Sequence, residues 1–208
     1  ADQMGADVER VRRVLGADRR IGPHYLFVGP GYGGTYFHHD IATLLASARE
    51  MGQTLGVVEA SQAANVAQVS TITHRLVRHL GALGGKRVAL WGLAFKPRTD
   101  DIGYSPALRI IGELLDRGAS VVVHDPRALE RARAHFEHRV DYAEDMYGAV
   151  EGADALVLVT EWPAYRAPDF GGLAERMAGK VVVDGRNIYD AEEVKRAGLR
   201  YVGLGRHA

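Results

Sequence analysis

Three short stretches hold the residues best suited to chemistry. The first is Phe27-Val-Gly-Pro-Gly-Tyr-Gly-Gly-Thr-Tyr-Phe-His-His-Asp40, with four glycines within six residues. Glycine has no Cβ, so such a backbone can come close to a ligand. On composition alone the simpler reading is a surface loop whose Asp40 caps the following helix. The second stretch is Trp91-Gly-Leu-Ala-Phe-Lys-Pro-Arg-Thr-Asp-Asp101. It follows an apolar run and precedes a helical pattern, a setting in which phosphates bind, and Lys96 is placed to meet one. It is not a G-x-G-x-x-G fingerprint, and a solvated turn fits it equally well. The third is Asp184-Gly-Arg-Asn-Ile-Tyr-Asp190. Arg186 would share an edge with Lys96, and two cations there suit a diphosphate; alone, Arg186 reads as a surface ion-pair partner. His24, His38, His39 and Asp40 raise the question of a metal. Adjacent residues on regular structure face different ways, so solvent-facing histidines are the expectation and no metal is expected.

The elements that must carry these stretches follow from apolar periodicity. Val8, Val11, Val14 and Leu15 fall on one helical face that Gly16 ends. Ile41, Leu44, Leu45 and Ala48 predict a second helix over residues 41–51, preceded by an irregular stretch. A third, over 56–80, repeats Val58, Val69, Ile72, Leu76 and Leu80 and would run about 40 Å. Its Ala- and Ser-rich first half suits close approach by a large partner such as a second copy. Val69 and Ile72 are the positions at which an acidic side chain would test that seam. From Lys86 the texture changes to runs apolar on both faces: Arg87-Val-Ala-Leu-Trp, Ser120-Val-Val-Val-His, residues 153–160, Lys180-Val-Val-Val-Asp and Arg200-Tyr-Val-Gly-Leu. Helical patterns separate them, the first over residues 105–116. That alternation predicts an α/β chain: a helical dimerisation segment, 1–82, then a Rossmann-like, doubly wound parallel sheet, 83–208. Such sheets bind ligands at the carboxyl ends of their strands.

Bulk properties narrow the classes further. The 208 residues are 47% hydrophobic and 25% charged, with 26 basic against 26 acidic side chains. A formal net charge of zero draws the chain to neither nucleic acid nor an anionic membrane. No apolar run is long enough to span a bilayer. With no Cys, cysteine chemistry and disulfides are excluded within the chain. No basic-then-apolar leader is visible, and cytoplasm is the default expectation. An opening on Ala1 without Met, almost directly into a helix, points to a piece of something longer.

Taken together, the three stretches are more specific than any one of them. With Gly5-Ala-Asp-Val, Arg20-Ile-Gly, Gly31-Tyr-Gly-Gly, Gly92-Leu-Ala-Phe-Lys-Pro, Thr99-Asp-Asp, Thr160-Glu-Trp-Pro and Asp184-Gly-Arg-Asn-Ile-Tyr-Asp, in that order and spacing, the chain resembles the UDP-glucose/GDP-mannose dehydrogenase family, most nearly its UDP-glucose 6-dehydrogenase branch. The resemblance implies an amino-terminal NAD domain, absent from these residues, a central helical domain with a long dimer-forming helix, here 56–80, and a carboxy-terminal UDP-binding domain. It implies a double oxidation of a UDP-sugar such as UDP-glucose to a uronic acid, with NAD as hydride acceptor. A cysteine thiolate carries the intermediate in that reaction, being a strong nucleophile and a good leaving group.

The resemblance also assigns roles, and some of them fail here. Tyr36 stands at the nucleophile position, and a phenol with a pKa of about 10 is a poor nucleophile at neutral pH. His39 replaces the family's lysine, and Gly103 its cofactor-directed arginine. Asp40, the family's proton-handling aspartate, is retained. On the binding side Lys96 and Arg186 match positions that meet phosphate and sugar. Arg20 matches an arginine that reaches into the neighbouring subunit. Tyr25, Leu26, Gly31, Tyr32, Gly33, Phe37 and Phe95 match substrate-lining positions. The expectation is a chain that binds a UDP-sugar without turnover. A working dehydrogenase fragment, or a homodimerisation module or partner subunit without a ligand, is the alternative.

Overall fold

Runs such as Val-Val-Val and Ala-Leu-Val-Leu are apolar on both faces, so they are stable only in a sheet covered on both sides. In a computed structural model, which describes residues 1–206, they form one. β1 (Arg87–Trp91), β2 (Ser120–His124), β3 (Asp141–Tyr142), β4 (Ala155–Leu158), β5 (Val181–Asp184) and β6 (Arg200–Gly203) make a six-stranded sheet in the order β3-β2-β1-β4-β5-β6. Every pairing is parallel, with Val88 opposite Val121 and Ala155. The connecting helices are α4 (Pro106–Asp116), α5 (Leu129–Phe136), α6 (Met146–Val150), α7 (Phe170–Arg176) and α8 (Ala191–Arg196). α4 starts where expected, because Ser105 accepts from the Ala107 N–H and Pro106 takes the first turn. Strand order reverses between β1 and β4, so the crevice outside their carboxyl ends is the switch point of the sheet.

One buried carboxylate organises that crevice. Asp125, just past β2, accepts from the amides of Leu93 (2.7 Å) and Ala94 (3.0 Å) and from the Trp162 indole (3.0 Å) on one oxygen. Its other oxygen accepts from the Arg127 and Ala128 amides. Thr160 adds a hydroxyl bond to the Ala94 carbonyl at 2.6 Å. The turns after β1, β2 and β4 are therefore tied to one another.

The helical half comprises a short 3-10 turn (Asp2–Met4), α1 (Val8–Ala17), α2 (Thr35–Glu50) and α3 (Gly56–Leu80). Here the structure corrects the sequence reading. α2 starts at Thr35, six residues before the first apolar repeat; Gly34, at φ +98°, turns the loop into it, and the Gly34 carbonyl accepts from the His38 amide. Asp40 therefore lies in the second turn and caps nothing. Gly16 lies within α1 rather than ending it. α3 is the predicted helix, but its apolar positions face two ways. Val69, Ile72 and Leu76 are buried in the same core as Leu90 and Val157, and α3 packs on α4 and β5. An aspartate at 69 or 72 would break this chain's own core, so those positions do not test a seam between copies. The apolar side chains left in solvent are Val57 (82% exposed) and Val66 (44%) in the first half and Val77 (39%) in the second. Among the described residues no helix is long and apolar enough to cross a membrane.

The first and last segments of the chain meet. The Val8 amide donates to the Gly205 carbonyl at 2.9 Å, and the Gly205 amide donates to Asp2 at 2.8 Å. Arg75 of α3 closes the contact, donating to the Gly203 carbonyl at 3.1 Å and pairing with Asp2.

Candidate functional site

The three stretches converge. The glycine loop between α1 and α2 crosses the carboxyl edge of the sheet and touches both of the others. At Gly33 a Cβ would sit 2.7 Å from the Tyr104 carbonyl and 3.0 Å from the Phe95 Cβ; at Gly29 it would sit 2.8 Å from Arg186 Nη1. No side chain fits in either place without displacement. Tyr32 adds a ring to this face, 5.2 Å from Phe37 and 5.1 Å from His38. His38 stacks on Tyr104 at 4.4 Å and 8°, with Nδ1 3.1 Å from the Gly34 carbonyl.

The two cations differ in state. Lys96, after β1, is exposed, with its ammonium 5.2 Å from the centre of the half-buried Phe95 ring. It makes no ion pair among the described residues. Arg186, after β5, has a side chain only 17% exposed and donates Nε to the Val159 carbonyl at 2.6 Å. Glu161 Oε2 lies 3.1 Å from the same nitrogen, yet that oxygen is buried without a hydrogen bond. The N–H points at Val159, so the Arg186–Glu161 contact is Coulombic rather than directed. Burial pushes the Arg186 pKa down, and Glu161 and Asp184 oppose that. A cavity of about 350 Å³ opens beside it, walled by Arg12, Phe27, Val28, Glu161 and Arg166. Guanidinium groups beside an apolar wall suit an anionic ligand with a flat face.

Other candidate residues stand apart. Tyr36 (86% exposed), His39 and Asp40 share one exposed face of α2, and His39 Nδ1 lies 3.7 Å from the Asp40 carboxylate. Arg20 is exposed and held by Asp18 at 2.6 Å. Tyr25 is fully exposed at φ +62°, and its neighbour Leu26 is half-buried. Within one chain, Arg20 and Tyr25 do not reach the convergence. Gly103 has a local reason to lack a side chain: a Cβ would meet the Thr35 hydroxyl at 2.2 Å. Among the described residues no group of three or more His, Asp or Glu gathers in ligating range.

The turn after β1 lacks the glycine fingerprint, and Asp125, where dinucleotide-binding folds present an acid to the ribose, spends both oxygens on protein N–H groups. Sequence reasoning overlooked Asp125, Glu161, Tyr104, Asn65 and Gln68. Two signals were available: Glu161 stands within Thr160-Glu-Trp-Pro, and Asp125 directly follows a buried strand.

Comparison with known proteins matches the chain to two domains of one family. Residues 1–67 match the central domain, and residues 89–191 the UDP binding domain, of the UDP-glucose/GDP-mannose dehydrogenase family. A UDP-glucose 6-dehydrogenase of Pseudomonas aeruginosa is 42% identical over 208 residues, covering 97% of this chain and 46% of its own length. One from Rhizobium meliloti is 40% identical over 206 residues, covering 99% of this chain and 47% of its own. The structure of a UDP-glucose dehydrogenase from Pyrobaculum islandicum superposes with a TM-score of 0.87 at 36% identity, over 99% of this chain and 45% of that one. The chain thus spans about half the length of the relatives it matches.

Proposed function

The chain belongs to the UDP-glucose/GDP-mannose dehydrogenase family, and from that premise we propose that it binds a UDP-sugar such as UDP-glucose without itself oxidising it. The observation that carries the reading is the glycine loop lying against both Phe95 and Arg186. It places a close-approaching backbone, a free Lys96 and a buried guanidinium at one sheet edge. In this reading residues 1–82 are the central domain and 83–208 the UDP-binding domain. Lys96 and Arg186 hold the diphosphate and sugar, and Tyr32, Phe37 and Phe95 line the ligand.

The chemistry is missing its parts. Tyr36 stands at the nucleophile position, His39 replaces a lysine, and Gly103 leaves no cation toward a cofactor. In this reading Asp40 alone does not carry the hydride transfer. The test is calorimetric titration with UDP-glucose, UDP-glucuronate and UDP, repeated on Lys96→Ala/Arg186→Ala, with NADH formation followed in parallel. Binding that disappears in the double variant, with no NADH formed, supports the reading. Turnover, or no binding to any ligand, refutes it.

A second reading, a homodimer through the 56–80 helix, is favoured by the apolar side chains left exposed on the helical half, Val14, Leu44 and Val57 among them. Dimers that bind no nucleotide would make this chain a structural module or partner subunit. A monomer at all concentrations in sedimentation would remove that reading.

A further inference from the structure

The glycine loop has one backbone tie to the stretch after β1, from the Gly34 N–H to the Gly103 carbonyl at 2.9 Å, and its other end is held by α3. Asn65 Oδ1 accepts from the Tyr32 N–H at 2.7 Å, while Asn65 Nδ2 donates to the Tyr32 carbonyl at 3.2 Å. The side-chain amide thus satisfies both backbone groups of one residue, as a neighbouring strand would. One turn on, Gln68 Nε2 donates to the Gly29 carbonyl at 3.0 Å. Residues three apart lie on one helix face, so a single stripe of α3 grips the loop at both ends of the turn. Gly31, between those grips, is at φ +116°, and a Cβ there would lie 2.7 Å from Asn65 Oδ1. The loop therefore needs glycine at that position because the amide occupies the space.

We infer that Asn65 and Gln68 are positioning residues for the nucleotide-sugar site: they fix the backbone between Gly29 and Tyr32 so that Gly29 meets Arg186 and Gly33 meets Phe95. This rests on the UDP-sugar reading above. Neither amide is placed among the ligand-contacting side chains. Both act through the loop, so their loss should show as a loosened loop and a weakened site in a folded protein.

The experiment uses the whole chain, with UDP-glucose and UDP as probes, and reads two quantities: affinity by calorimetry and hydrogen exchange at the Tyr32 amide by NMR. Asn65→Ala should weaken UDP-glucose about tenfold or more and speed Tyr32 exchange by a similar factor. Asn65→Asp keeps the acceptor but loses the donor, so it should fall between parent and Asn65→Ala. Gln68→Glu cannot donate to Gly29 and should behave as Gln68→Ala. Ser61→Ala, whose hydroxyl bonds only within the helix at Val57, should match the parent. If the parent binds and folded Asn65→Ala binds within twofold of it, this inference fails while the ligand reading stands. If the parent binds neither probe, the ligand reading fails and takes this inference with it. Should Asn65→Ala not fold, Gln68→Ala decides by the same twofold criterion.

Discussion

The helical half and the sheet half treat their apolar residues in opposite ways. Past residue 86 nearly every large apolar side chain is buried, and β1, β2, β4 and β5 are enclosed on both faces. Before residue 82, α1 buries none of its residues although its valines lie on one face, and α2 buries only Leu45 and Ala48. Among the described residues every exposed large apolar side chain except Tyr104 lies in the first 80 residues. A sheet closes its own hydrogen bonds and takes its cover from the helices of the same chain. An amphipathic helix specifies only that something apolar must lie on it. α3 shows both cases in one element: Val69, Ile72 and Leu76 of its second half serve the sheet's core, while Val57, Val66 and Val77 face solvent.

Several substitutions would break or sharpen this contrast. The largest effect is expected from Ile72→Asp, which buries an unpaired carboxylate in the shared core and should cost more than about 4 kcal/mol. Circular dichroism and urea unfolding would read it, and a folded monomer would mean that this half of α3 is outside the core. Next is Asp125→Ala. It orphans five N–H groups at the switch point and should lower stability by about 3–5 kcal/mol in urea, whereas a loss under about 1 kcal/mol would show that the turns hold without it.

A smaller effect is tied to pH. Burial holds the His124 imidazole below its ordinary 6.5, against the pull of Asp125, Asp145 and Glu144. The unfolded chain takes up the proton near pH 6.5 and the folded chain only at lower pH, so this contribution is complete above 6.5 and is lost as pH falls below it. Thermal melts should show stability declining as pH falls through that window, and His124→Gln should flatten the slope. An unchanged slope would assign it to other groups. The smallest effect on stability is expected from Val57→Asp with Val14→Asp, within about 0.5 kcal/mol. Sedimentation is the decisive readout there, because these positions should alter association and leave the sheet half untouched.

The legible parts of the fold were those whose pattern leaves one solution. Five strands could be read from continuous apolar runs. β3 could not, because it is two residues long, at the sheet edge, and neither side chain is buried. The start of α2 was hidden because its first turn, Thr-Tyr-Phe-His-His, carries no apolar stripe. The orientation of α3 was hidden for the opposite reason, since Val58 and Ile72 obey one periodicity and only tertiary contact separates them. Lys96, Arg186 and the glycine loop were legible as a set because parallel strands end at a common edge. Asn65 and Gln68 were not, because polar residues on a helix read as its solvated face until a loop is seen to rest on them.

The contact between the chain's first and last segments has a topological consequence. A series of contacts runs from Val8 to Gly205, Gly205 to Asp2, Asp2 to Arg75 and Arg75 to Gly203, so the backbone between residues 2 and 205 traces a nearly closed ring. A circular permutant of these residues that links the two segments with a few flexible residues and opens instead at the exposed Gly84–Gly85 turn should keep the strand order β3-β2-β1-β4-β5-β6 while placing the sheet half ahead of the helical half in sequence.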